Sequence, residues 1–349
     1  MRMMKRLQEL ASLIPNARLS GSDAEITSIE RDSRRIGEGA LFVCISGAHV
    51  DAHSFIPNAA RAGARAILTE RETVDVSEGL SVLHVPDLQE ALDTIVPYFY
   101  DYPARSMRVI GITGTNGKTT TSYLVRAILR HAGKRVGLIG TIQVMMEDEV
   151  FPTANTTPDV IVMQQLLAEM RARSMDAVVM EVSSHALDQG RVAGIEFDTA
   201  VFTNLTQDHL DYHKTMENYA RAKARLFDLV SENGTKTGKT AVLNADDAAS
   251  ATMRAHTRCP VISYGVESKA DLAVRDVHLA QDGMELTLVH GEAEPVKLHI
   301  SITGLFNVYN VLAATGAALA EKIGAADIAA ALRAFTGVPG RFELVRAGQ

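Results

Sequence analysis

The chain has 349 residues, 46% of them apolar, with two cysteines and a formal net charge of −7. That length gives room for two or three domains with sizeable cores. Acidic balance with interspersed charges argues against a non-specific nucleic-acid binder, and Cys44 and Cys259 form no CxxC pair, so neither a disulfide framework nor a zinc site is indicated, as fits a reducing cytoplasm.

Residues 1–14 set Arg2, Lys5, Arg6 and Glu9 among apolar positions. This predicts a short amphipathic helix, not a signal peptide, because no long apolar core or small-residue cleavage site is present. No apolar run reaches the roughly 20 residues of a membrane span. Residues 1–104 read as a small mixed α/β unit. In it "ALFVCISG" (40–47), "ARAILT" (64–69) and "LSVLHV" (80–85) are strand-like, and "LQEALDTIVPYFY" (88–100) is helical. "DYPARSM" (101–107) reads as a linker.

From Met107 strand and helix alternate. "RVIGI" runs into a Gly-rich turn, and "TTTSYLVRAILRHAG" carries helical periodicity to Gly133. "RVGLIG" (135–140), "DAVVMEV" (176–182), "TAVFTNL" (199–205), "TAVLN" (240–244) and "CPVISYG" (259–265) read as further strands, with a helix over 215–230. Continuous apolar runs fit a parallel sheet buried on both faces, so residues 105–340 form a doubly wound domain. Residues 271–302 read as an antiparallel meander turning at "QDG" (281–283), and helices follow at 305–322 and 326–335. The segment 341–349 reads as the opening of a third domain.

The turn holding Gly114, Thr115, Asn116, Gly117, Lys118, Thr119 and Thr120 has the strand–loop–helix context of a phosphate cradle. Glycines let backbone N–H groups close on phosphate oxygens, and a helix N-terminus favours negative charge. The spacing is not a strict P-loop, because the position five before Gly117 is Ile112. Lys118 is placed for β/γ-phosphates and Thr119 for Mg²⁺. Glu181 falls at a strand's carboxyl end, where ligands bind in open α/β sheets, so it either holds Mg²⁺ or meets solvent. Ser183, Ser184, His185, Gln189 and Arg191 form a polar cluster after it.

His209 and His213 have the i, i+4 spacing of a zinc pair, but Leu210 rules out HExxH and no third ligand is evident. Each is open to a structural reading. Lys223 by pattern alone is a surface lysine of a helix. "TANTTPD" (153–159) reads as a helix start with Pro158 near its first turn, and Asn155, Thr156 and Thr157 could equally bind ligand.

Together "GTNGKTTT", "TANTTPD", "EVSSHALDQGRV", "FTNLTQDHLDYH" and "YARAKARLF" resemble the Mur ligase family of peptidoglycan synthesis, most of all its MurE branch. "RDSRRIGEGALFVCISGAHVDAHSFI" (31–56) is similar to that family's amino-terminal uridine-binding unit, with Ala52 in place of a common glycine.

The resemblance implies an ATP- and Mg²⁺-dependent ligase of the cytoplasm, monomeric, with UDP-N-acetylmuramoyl-L-Ala-D-Glu and a diamino acid as substrates. It implies that Lys118, Glu181, His209 and Lys223 are catalytic. Thr119, Glu181, His209 and a carbamylated Lys223 would hold metal. Asn307 and Asn310 would join the phosphate loop at ATP. Ser33, Ala48, His49, Val50, Asn155, Thr156, Thr157, Ser183, Gln189 and Arg191 would bind the UDP precursor. Such ligases usually carry a third, amine-selecting domain, so the expectation is a chain that binds its ligands and ligates poorly alone. Two alternatives are a folylpolyglutamate-synthase-like ligase, against which residues 31–56 argue, and a non-catalytic nucleotide-binding module.

Overall fold

A computed structural model describes residues 3–47, 50–76, 79–232 and 234–340. Two expectations, Ala48 with His49 and the third-domain opening at 341–349, lie outside the described residues. The chain divides into two units. One comprises Met1–Pro103 with Asp159–Ala168 and Gly190–Ile195, and the other holds the remainder. A boundary at 104 therefore misses two later segments that pack with the first unit.

The first unit is built on a five-stranded sheet. Its order is Arg18–Ser20, Ser81–His84, Ala64–Thr69, Ala40–Val43, Ser28–Glu30, and only the first pair is antiparallel. Helix Leu88–Phe99 starts where the Asp87 carboxylate accepts from Glu90 N at 2.8 Å, a side-chain cap. Its Leu88, Ala91, Leu92, Ile95 and Val96 recur at helical spacing and enter a core with Leu41, Val43, Ala66 and Leu68. The amino-terminal helix is shorter than expected, Leu7–Ser12, because Lys5–Arg6 pairs as a strand with Glu25–Ile26. The 101–107 linker is ordered: Asp101 and Tyr102 take positive φ, and Pro103–Ser106 forms a 3₁₀ turn.

The second unit is organised by an eleven-stranded sheet. Its parallel centre runs Val136–Ile139, Ala177–Glu181, Arg108–Thr113, Thr199–Phe202, Thr240–Asn244, Val261–Gly265. Val109, Ile110, Ile112, Val178, Val179, Val201 and Val242 are fully buried, as both covered faces require. The meander Leu272–Leu279, Met284–His290, Val296–Ile300 is antiparallel within itself. It joins the same sheet through parallel pairing of Tyr264 with Leu272. A hairpin, Val144–Met146 and Glu149–Phe151, extends the other edge. Its methionines and charged turn gave no strand signal.

Helix Lys118–His131 buries Leu124, Val125 and Ile128 against this sheet, and truncating one of them to alanine costs about 2–5 kcal/mol. Helix Val160–Ala172 begins after Pro158, not around it. The Asp159 carboxylate accepts from Ile161 N and Val162 N, so Asp159 is the cap and Pro158 stands outside the helix.

Candidate active site

The candidate Gly114–Gly117 turn and Glu181 stand at the carboxyl ends of neighbouring central strands, the side on which ligands bind in open α/β sheets. Strand Arg108–Thr113 turns at Gly114 (φ +149°) and enters its helix at Gly117 (φ +86°). Both glycines are required. A Cβ on Gly114 would lie 1.8 Å from Thr203 Oγ1, and one on Gly117 would lie 2.3 Å from Asn310 Oδ1. No acidic residue occupies the helix's first turn, so its positive end is left for an anion.

Two lysines converge on one carbonyl. Lys118 Nζ donates to Gly114 O at 2.9 Å and to Thr115 O at 2.8 Å, and Lys223 Nζ donates to Gly114 O at 2.8 Å. Lys223 is not the surface lysine its pattern suggests. It is 1% exposed, with Nζ 4.3 Å from the centroid of the Tyr219 ring. Burial, then the charge of Lys118, drives its pKa well below the usual lysine value. A buried amine in its neutral form is the species that reacts with carbon dioxide, so the position is chemically suited to carbamylation.

Glu181 is fully buried. Its carboxylate accepts from Thr119 Oγ1 at 3.0 Å, Thr141 Oγ1 at 2.9 Å and Thr141 N at 2.9 Å. Gly140 makes room for it, since a Cβ there would come within 2.5 Å of Glu181 Oε1. A carboxylate beside a hydroxyl at a phosphate loop fits a hard divalent cation. Among the described residues no group of three His, Cys, Asp or Glu side chains is placed to hold a metal, so the fit rests on this mixed oxygen set.

Two substrate candidates of the second unit stand next to Glu181, one on its backbone carbonyl and one on the Thr141 hydroxyl that holds its carboxylate. Thr157 Oγ1 donates to the Glu181 carbonyl at 2.9 Å and accepts from Ser183 N at 3.1 Å. Thr141 Oγ1 donates to Thr156 Oγ1 at 3.1 Å. Asn155 is exposed, and Gln189 Nε2 donates to Tyr212 Oη at 3.4 Å.

His209 is 47% exposed in its side chain and takes left-handed backbone, φ +52°. Its ring lies 4.9 Å from that of His185 and 6.0 Å from that of Tyr219. His213 is internal: its Nε2 meets Ser184 Oγ at 2.9 Å and its ring stacks on Tyr219. Burial and the neighbouring His185 lower its pKa. Their unequal settings set aside the zinc-pair reading.

A cavity of about 550 Å³ adjoins the loop, lined by Asn116, Gly117, Thr120, Asn307 and Asn310 among others. Asn310 Nδ2 donates to Asn307 Oδ1 at 2.9 Å, and Asn307 Nδ2 to Thr303 O at 2.8 Å. Sequence reasoning missed Asn204, Asn244, Asp246 and Tyr309 on the same wall. Asp246 accepts from the backbone of Val266, Glu267 and Ser268 and from Tyr309 Oη. Burial alone would raise its pKa, but these bonds hold it well below the usual range. Asn204, Asn244 and Thr141 each stand at or just beyond a strand's carboxyl end, a signal that could have found them.

In the first unit, Ser33 opens a 3₁₀ turn capped by Asp32, whose carboxyl is held at about 2 by Arg34. Val50 is exposed in a loop where its carbonyl accepts from Gly47 N at 3.0 Å. Asp51 ties down that loop by accepting from His53 Nδ1 and Arg71 Nη2, both at 2.7 Å. Arg191 also belongs to this unit.

Residues 112–318 match the Mur ligase middle domain, and residues 25–101 match the Mur ligase family, catalytic domain. The chain is 47% identical over 326 residues to the UDP-N-acetylmuramoyl-L-alanyl-D-glutamate–2,6-diaminopimelate ligase of Bacillus cereus, covering 93% of this chain and 66% of the relative. It is 43% identical over 348 residues to the enzyme of the same name from Geobacillus thermodenitrificans, covering 99% of this chain and 70% of the relative. A solved structure of a ligase of that name aligns with a TM-score of 0.79 at 28% identity, over 93% of this chain and 65% of that one. The chain spans about two thirds of the length of the curated relatives it matches. Motifs, fold and family matches agree, and the chain belongs to the Mur ligase family.

Proposed function

We propose that this chain carries the nucleotide- and precursor-binding machinery of an ATP-dependent amide ligase acting on UDP-N-acetylmuramoyl-L-Ala-D-Glu in the cytoplasm. The γ-phosphoryl group of ATP passes to the D-Glu carboxylate, giving an acyl phosphate and ADP. The amine of a diamino acid displaces phosphate and loses a proton as the amide forms. The names of the relatives, 43–47% identical, make 2,6-diaminopimelate the first amine to test. The observation that carries the reading is the Thr119–Glu181 pair beside a carbonyl shared by Lys118 and Lys223.

Phosphoryl transfer needs positioning and neutralised charge more than covalent help. The helix N-terminus at Lys118 orients phosphate oxygens. Lys118, now folded onto loop carbonyls, is within its own reach of the β/γ-phosphates and neutralises them. Thr119 and Glu181 supply oxygen ligands for Mg²⁺, which adds positive charge at the transferring group. His209 and carbamylated Lys223 are the further ligands this reading assigns; forming the carbamate joins the neutral amine to carbon dioxide and releases one proton. Asn307 and Asn310 hold the adenine side. Asn155, Thr156, Thr157, Ser183 and Gln189 in the second unit, and Ser33, Val50 and Arg191 in the first, bind the precursor.

Calorimetric titration tests this with UDP-N-acetylmuramoyl-L-Ala-D-Glu, with and without a non-hydrolysable ATP analogue and Mg²⁺. Saturable binding of both ligands is expected. Binding of nucleotide alone would overturn the precursor assignment, and binding of neither would overturn the reading.

A further inference from the structure

We infer that Asn204 is a positioning residue of the nucleotide site, fixing the backbone of the phosphate loop through a two-point amide clamp on Asn116. The inference rests on the nucleotide reading of the loop. Asn204 follows strand Thr199–Phe202 and lines the cavity beside Gly117 and Thr120. Its Oδ1 accepts from Asn116 N at 2.9 Å, and its Nδ2 donates to Asn116 O at 3.1 Å. Its own carbonyl accepts from Thr115 N at 2.8 Å. A single residue thus satisfies three backbone polar groups of two adjacent loop residues, and the Thr115 carbonyl between them is taken by Lys118.

The side-chain requirement is specific. Only an amide offers an acceptor and a donor at this spacing, and only one orientation of it matches N–H to oxygen and C=O to nitrogen. Aspartate keeps the acceptor, loses the donor and brings negative charge to a phosphate site. Alanine loses both. The backbone of Asn204 also explains Gly114, because a Cβ there would stand 3.0 Å from Asn204 N and 3.1 Å from Asn204 O, besides its clash with Thr203.

Two consequences follow for the site. The N–H groups of Thr115 and Asn116 are taken by Asn204, so the phosphate-facing amides begin at Gly117. Asn116 then acts on nucleotide through the loop's shape. Thr203 Oγ1 donates to the Asn116 carbonyl at 2.7 Å, and Asn116 Nδ2 donates to Thr206 Oγ1 at 3.3 Å, so the clamp is flanked by two further bonds between the loop and the segment after strand Thr199–Phe202.

The test is calorimetric titration of ADP with Mg²⁺ against the wild-type chain, Asn204→Ala and Asn204→Asp. Titration with UDP-N-acetylmuramoyl-L-Ala-D-Glu and thermal melting run alongside. Asn204→Ala is expected to weaken ADP about 10-fold or more, and Asn204→Asp further. The UDP precursor should bind both variants within about twofold of wild type, a split that a merely structural residue would not produce. ADP affinity unchanged in both variants, or equal loss for both ligands, overturns the inference. If Asn204→Ala does not fold, the near-isosteric Asn204→Asp carries the comparison. A wild-type chain silent to ADP would instead sink the nucleotide reading itself.

Discussion

The hydroxyl of Thr119 donates to a carboxylate oxygen of Glu181 across 3.0 Å, although 62 residues separate the two in the chain. Each sits at the end of its own element, one beginning a helix and the other ending the neighbouring parallel strand. The pair sets two oxygens side by side where the proposed Mg²⁺ would bind, with the Thr141 hydroxyl on the same carboxylate.

Removing the Thr119 hydroxyl should therefore act through Mg²⁺. Thr119→Ala is expected to lower ADP affinity about 10-fold or more with Mg²⁺ present, and to change it little in chelator. Thr119→Ser should stay close to wild type. Paired titrations with Mg²⁺ and with EDTA check this, and an equal loss in both would mean the hydroxyl only shapes the loop.

Gly117→Ala forces a side chain into left-handed backbone and against the Asn310 amide oxygen. Strain of about 1–3 kcal/mol is expected from the backbone alone. The variant should melt lower and bind nucleotide weakly. Gly133→Ala, whose added carbon meets nothing within 4 Å despite its positive φ, is the control that carries backbone strain without the contact. Similar nucleotide affinities in the two variants would argue against the contact with Asn310.

Asp93 gives a pH dependence. Its carboxyl is raised from 3.8 to about 6, first by burial, against which the Gln89 amide works, with Asp87 and Glu90 raising it further. The native state therefore holds a proton that the unfolded chain releases between about pH 4 and 6. Stability from this group is present below pH 4 and is lost as pH rises through 6. Asp93→Asn removes that slope. Denaturant unfolding should find the variant gaining on wild type from pH 4 to 7, on the order of 2 kcal/mol. A difference independent of pH would refute the assignment.

Asp198 is fully buried, 2.8 Å from Arg108 Nη1 and 2.6 Å from Lys236 Nζ. Lys236→Met takes away one partner while the anion stays inside. A loss of about 1.5–3 kcal/mol is expected by chemical denaturation, because Arg108 and the Val109 N–H still hold the anion. Asp198→Asn with Lys236→Met should cost less than the two single losses combined, because the buried charges leave together.

Much of this was written in one-dimensional signals. The β-α alternation from Met107, the glycines at 114 and 117 and the carboxylate at the end of "DAVVME" located the sheet and its loop. Lys223 was illegible by pattern, since an i, i+4 lysine looks the same on a wet face as beneath a ring; only family likeness picked it out. Asn204 and Asp246 were missed because their partners are backbone groups about 90 and 20 residues away, which no local spacing encodes. The Val144–Met146 hairpin escaped for another reason: methionine and charge carry no strand preference, and the sheet's free edge imposes the conformation.

The order of strands also sets a timetable. Strand Arg108–Thr113 lies between Ala177–Glu181 and Thr199–Phe202, and the Asn310 amide closes on the phosphate loop from helix Leu305–Ala320. A growing polypeptide exposes the loop early yet cannot flank its strand on both sides until residue 202 has left the ribosome. It cannot finish the cavity until residue 310 follows. On the proposed reading, nucleotide capture waits for residue 310 to emerge and so reports that the sheet and the helix closing its cavity have both been made.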